Sequence, residues 1–174
     1  MSESTPWFLG NDPGHVRAVV ADADRMSKII SRARRILTVL GPEISDDGAM
    51  LSVVRAIPSS SLVASPRTRP LMAVASGVKP DVYMNVLEVM DRLRDPDWQG
   101  FDGKGAYDLV IFLGMDYYYA SQMFSLMKHF GRGVGTVSLG RHYQPNARYS
   151  FSNLVPATWH AQMQRLAGLL RGEE

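Results

Sequence analysis

Three groups of residues have the types and spacing to take part in chemistry. Asp116 follows closely on the glycine that ends an apolar run, a position where a carboxylate serves either as a general base or as the cap of the next helix. Tyr117, Tyr118 and Tyr119 come directly after it and cannot share one helix face; Tyr119 goes with the core, and the other two phenols turn toward a crevice or a partner. The third group is the stretch from Gly140 to Tyr149, in which Arg141, His142, Tyr143, Asn146 and Arg148 collect charged, aromatic and amide groups beyond a strand end. A ligand site and a plain loop capping the sheet are both open there.

Other chemistries are excluded by composition and spacing. The four histidines, at positions 15, 129, 142 and 160, are scattered, with no His-x-x-x-His pair for a metal, and no G-x-S-x-G elbow for acyl transfer is present. Cysteine is absent, which removes disulfides, thiolate nucleophiles and Cys-ligated zinc or iron–sulfur clusters from this chain. The expectation is therefore no metal cluster, and any redox role must be borrowed from a partner or a bound cofactor. Nineteen basic residues stand against 17 acidic ones, a net charge of +2 spread along the chain, which is no nucleic-acid-binding stripe despite a pI near 9.0. No run approaches the roughly 20 apolar residues of a membrane span, so no membrane partner and a cytoplasmic location are expected.

The element that must position these residues runs from Tyr107 to Phe130. Asp108 to Leu113 is an almost uninterrupted apolar run, the pattern of a strand covered on both faces in a parallel sheet, and Gly114 stops it. Asp116 then caps a helix whose Tyr119, Met123, Leu126, Met127 and Phe130 recur at helical spacing. Further strands are expected over Ile36 to Leu40, left by the turn Gly41-Pro42, over Ser61 to Ser65 and over Thr136 to Leu139. Leu71 to Ala75 reads as a minor strand or a helical turn, with Arg67 and Arg69 before it either meeting an anion or lying on a surface loop.

Further helices are expected in four places. One starts with Asp12 as cap and Pro13 as first residue and runs through Val16, Val19, Val20, Ala23, Met26, Ile29 and Ile30 to Ala33. A second starts at Ser45-Asp46-Asp47, a third carries Val86 to Leu93, and the last spans Pro156 to Leu170. The cluster Arg32, Arg34 and Arg35 is either a contact for a phosphate or acidic partner or a solvated helix end. Gly131, Gly133 and Gly135 form a helix-exit loop. Between the first strand and its helix stands LGPEIS rather than G-x-G-x-x-G, so a dinucleotide bound in the usual Rossmann manner is disfavoured. Residues 1–12 read as an N-terminal arm on a single 1–174 domain, with Trp7, Phe8 and Leu9 suited to packing on a partner. The linker DPDWQGFDGKGAY carries Trp98 and Phe101 and is either an Ω-loop packed by its own side chains or a contact site.

Three blocks carry a family resemblance: RDPDWQGFDGKG, DLVIFLGMDYYYASQMFSLMKHF and RHYQPNARYSFSNL. Together they resemble the epsilon subunit of the archaeal acetyl-CoA decarbonylase/synthase complex. The resemblance implies an α/β, Rossmann-like three-layer fold with a doubly wound parallel sheet of about six strands, as in NAD/FAD-binding domains of the DHS-like type. It implies no catalytic residue and no enzyme activity in this chain alone. The implied role is to stabilise the large nickel–iron carbon monoxide dehydrogenase (alpha) subunit in a two-plus-two heterotetramer, or to assist electron transfer to FAD, with ferredoxin or a flavin as further partners. By matching blocks it reaches Gly41 and Pro42, Gly114, Tyr117 to Tyr119, Tyr143, Pro145 and Asn146. Cofactor contacts, if FAD binds, are placed on Gly41, Pro42, Gly114, Asp116, Arg141 and Asn146. Interface contacts are placed on Trp98, Phe101, Tyr117, Tyr118 and Tyr143. The alternative is a free-standing nucleotide- or flavin-binding module.

Overall fold

The computed structural model describes residues 7, 14–44, 48–58, 60–74 and 77–173. Along them run β1 (Val19–Val20), α1 (Ala23–Arg32), β2 (Ile36–Leu40), α2 (Ala49–Ala56), β3 (Ser60–Ala64), α3 (Arg69–Val74), β4 (Val82–Tyr83) and α4 (Val86–Arg94). There follow β5 (Leu109–Leu113), α5 (Tyr117–Phe130), β6 (Gly135–Ser138), β7 (Tyr149–Ser150) and α6 (Pro156–Arg171). All seven strands pair in parallel in one sheet, in the order β1-β7-β6-β5-β2-β3-β4.

The central strands β2 and β5 are buried at all five positions each, which is why their sequences show no polar alternation. Their side chains divide between two cores. Ile36, Leu40, Leu109, Ile111 and Leu113 face α1, α2 and α6, where Met26, Ile30, Leu51, Met163 and Leu166 close the layer. Leu37, Val39, Val110 and Phe112 face α4 and α5, where Val89, Met90, Met123 and Phe124 close the other, and the Phe112 and Phe124 rings meet edge-on at 4.7 Å. Helices cover both faces of a parallel sheet, so the three-layer doubly wound architecture expected from the sequence is the one observed.

Several boundaries differ from expectation. The first helix begins at Ala23, capped by the Asp22 carboxylate, which accepts the Arg25 N–H at 2.9 Å; the expected Asp12-Pro13 start lies outside the described residues, as do Ser45, Asp46 and Asp47. Val16 and Val19 keep helical spacing with Ala23 and Met26, yet both valines are exposed, and Val19 and Val20 pair with β7. β-branched residues favour such an extended edge over a helix interior. Leu71 lies in helix α3, which settles the two readings of that segment. Phe130, expected on the buried face of α5, is exposed, because Ala120, Met123, Phe124 and Met127 already fill that face before Gly131 ends the helix. The sheet has three strands beyond the four legible in the sequence, each only two residues long.

Candidate functional site

The strand order reverses between β2 and β5, since β2 is followed outward by β3 and β5 by β6. Such a reversal opens a crevice beyond the carboxyl ends of the two strands. Gly41 and Gly114 stand at its base, and the loops they begin hold each other. The Gly41 N–H donates to Leu113 O at 2.8 Å, Glu43 N–H to Gly114 O at 2.7 Å, and Ile44 N–H to Gly41 O at 3.3 Å. A Cβ on Gly41 would lie 2.4 Å from Gly114 O, and one on Gly114, whose φ is +68°, would lie 2.5 Å from the Ile44 nitrogen. The two glycines therefore admit backbone to backbone, and the Gly41, Glu43 and Ile44 amides are already engaged with backbone carbonyls.

Beside this closed pair lies a cleft of about 410 Å³, within the usual range for small-molecule sites. Phe112 and Trp159 supply apolar wall, the indole N–H donating to Leu139 O at 3.0 Å. Tyr117 lines another side and donates its hydroxyl to Tyr143 O at 3.1 Å. Asp116 reaches the rim but caps α5, its carboxylate accepting the Tyr119 N–H at 3.0 Å. Charge is mixed: Glu43 and Asp116 stand against Arg141, and burial together with the Arg141 charge holds the His142 imidazole below its ordinary pKa.

Two polar atoms of the lining lack partners. Gln144 is 3% exposed; its Nε2 donates to Tyr117 O at 2.9 Å while its Oε1 has no hydrogen bond. The buried Nδ1 of His142 is unpartnered as well. Neither residue stands out in the sequence as more than part of a polar loop. Nothing in composition distinguishes a loop that turns inward, and here Tyr143, Gln144, Pro145, Asn146 and Ala147 are all buried.

The residues singled out from sequence divide accordingly. Gly114, Asp116, Tyr117 and Arg141 meet at the cleft, and Gly41 sits behind it in contact with Met115. Pro42 is exposed on the turn. Asn146 lies on a separate groove with Arg17, Lys128 and Arg148. Tyr118 is exposed at 57%, in the first turn of α5. Tyr143, expected at an interface, is instead enclosed by the chain itself: its relative exposure is 0% and its hydroxyl donates to Ala18 O at 2.7 Å. Trp98 meets Phe101 edge-on at 4.9 Å and Tyr107 at a tilt at 5.6 Å, and Arg35 holds the loop by pairing with Asp102 and lying over the Tyr107 ring. The linker is thus packed by its own side chains. Among the described residues no group of three or more His, Asp or Glu side chains is placed to hold a metal, and no helix is long and apolar enough to cross a membrane.

Residues 3–167 match the family described as CO dehydrogenase beta subunit/acetyl-CoA synthase epsilon subunit. The chain is 33% identical to the acetyl-CoA decarbonylase/synthase complex subunit epsilon of Methanothrix soehngenii, over 95% of this chain and 91% of that one. Identity to the subunit of the same name in Methanothermobacter thermautotrophicus is 31%, over 92% and 93%. To subunit epsilon 1 of Archaeoglobus fulgidus it is 36%, over 75% and 71%.

Proposed function

The chain belongs to the family of CO dehydrogenase beta subunits and acetyl-CoA synthase epsilon subunits, and we propose that it serves as the epsilon subunit of an acetyl-CoA decarbonylase/synthase complex. In this reading it is a non-catalytic cytoplasmic subunit that binds and stabilises the large carbon monoxide dehydrogenase subunit in a two-plus-two assembly. The observation that carries the reading is the match to subunits of that name along nearly the whole of both chains. Composition supports it: without cysteine, nickel–iron–sulfur chemistry falls to the partner. Tyr118, exposed in the first turn of α5 beside the exposed Leu87 of the neighbouring helix α4, is the kind of aromatic anchor such an interface favours. Co-expression with a tagged large subunit tests the proposal. Retention at equal stoichiometry, with a higher melting temperature for the large subunit, is expected; separate elution of the two chains overturns it.

A second reading concerns the cleft, and its position at the strand-order reversal favours it. The cleft is a site for a flavin or nucleotide through which the subunit assists electron transfer to FAD. A bound flavin would supply one- and two-electron transfer. This chain's own contribution would be to contact the ring through Tyr117 and Trp159, which line the cleft, and to keep water from it.

A further inference from the structure

We propose that the cleft recognises a neutral nitrogen heterocycle bearing an N–H, through Gln144 and His142, with no phosphate subsite among its described residues; this rests on the reading of the cleft as a flavin or nucleotide site. The amide of Gln144 cannot be turned at will. Its Nε2 faces the Tyr117 carbonyl at 2.9 Å, and exchanging the two ends would set oxygen against oxygen, so Oε1 is the atom left to be satisfied. A buried carbonyl without a donor keeps its desolvation penalty, and an N–H on a ligand removes it.

His142 supplies the complementary atom. Its Nδ1 is also buried and unpartnered, and a neutral imidazole donates or accepts there according to tautomer. An N–H beside a carbonyl or ring nitrogen, the edge presented by a flavin pyrimidine or a purine, meets both needs. Both atoms are buried while their residues line the cleft, so a side chain must turn aside for a ligand to reach them. Met50 and Met115 are the flexible candidates.

Among the described residues of the two closed loops, the phosphate half of such a ligand finds no comparable site. The Gly41, Glu43 and Ile44 amides bond within the two loops, and a Cβ-sized probe at either glycine meets protein backbone. Among the described residues of the lining Arg141 is the one arginine, and Glu43 and Asp116 oppose it. A diphosphate therefore gains little here.

Calorimetric titration of the full chain with riboflavin and adenosine, and with FAD and ADP as their phosphate-bearing counterparts, tests this. At least one phosphate-free probe should bind within about threefold of its counterpart, and Gln144→Leu should weaken it by about tenfold, the loss of one buried hydrogen bond. If Gln144→Leu does not fold, His142→Asn takes its place, with the same weakening expected. Binding that requires the phosphates overturns this inference and leaves the cleft reading standing. No heat from any of the four overturns both. Unchanged affinity in a folded variant overturns the assignment to that residue.

Discussion

The loops at the carboxyl edge of the sheet are of two kinds. Those leaving β2 and β5 are closed, glycine against backbone, with their amides paired across the crevice. The loop leaving β6 buries Tyr143 to Ala147, turns polar side chains inward and leaves Gln144 Oε1 and His142 Nδ1 unpaired. The difference separates rigidity from recognition: the first pair holds the crevice in shape, and the second presents unsatisfied groups that a ligand can complete.

The comparison breaks most visibly at Gly114. Gly114→Val forces a β-branched residue to φ near +68° and drives its Cβ into the Ile44 backbone. Strain and overpacking each cost about 1–3 kcal/mol, so a loss of about 3 kcal/mol or more is expected in urea unfolding of the isolated chain. A variant as stable as the parent would mean that the loop pair is not closed.

A smaller effect comes from His142. Its folded-state pKa is lowered, first by burial and then by the Arg141 charge, so just below the ordinary imidazole value of about 6.5 the unfolded chain binds more protons than the folded one. Stability from this group is complete above that value and falls as pH drops through it. The melting temperature should decline as pH drops below about 6.5, and His142→Asn should remove part of the decline. An identical pH profile in the variant would place the loop in solvent.

The smallest effect on the fold belongs to Tyr118, which stands in the first turn of α5 and is largely exposed. Tyr118→Ala should change the chain's stability by less than about 0.5 kcal/mol. If Tyr118 anchors the large subunit, the same change weakens retention by about 2 kcal/mol, roughly thirtyfold. Lost stability would make it core, and full retention would make it a bystander.

Much of the scaffold is legible in the sequence because it depends on local chemistry. The apolar run at Leu109–Leu113, the stop at Gly114 and the carboxylate cap at Asp116 are near neighbours in the chain, and all three appear in the structure as the pattern implies. The edge strands β1, β4 and β7 are not legible, since two-residue strands have no periodicity and exist only by pairing with a neighbour. The start of α1 is obscured for a related reason: valines at helical spacing before Asp22 satisfy the same pattern as the helix after it, and only pairing with Tyr149 and Ser150 makes them extended.

The site divides along the same line. Sequence alone determined that this chain carries no thiolate ligand and no G-x-G-x-x-G turn, that its strands are of the doubly covered kind, and that Gly114 to Asp116 lies at a strand end. Tertiary structure decided that Tyr143 is core and Trp98 is packed within its own loop. It also decided that Gln144, Tyr117 and Trp159, from three separate segments, share one cleft. The reason is physical: caps, turns and periodicity act over a few residues, whereas whether a polar atom is paired depends on what the rest of the chain brings against it.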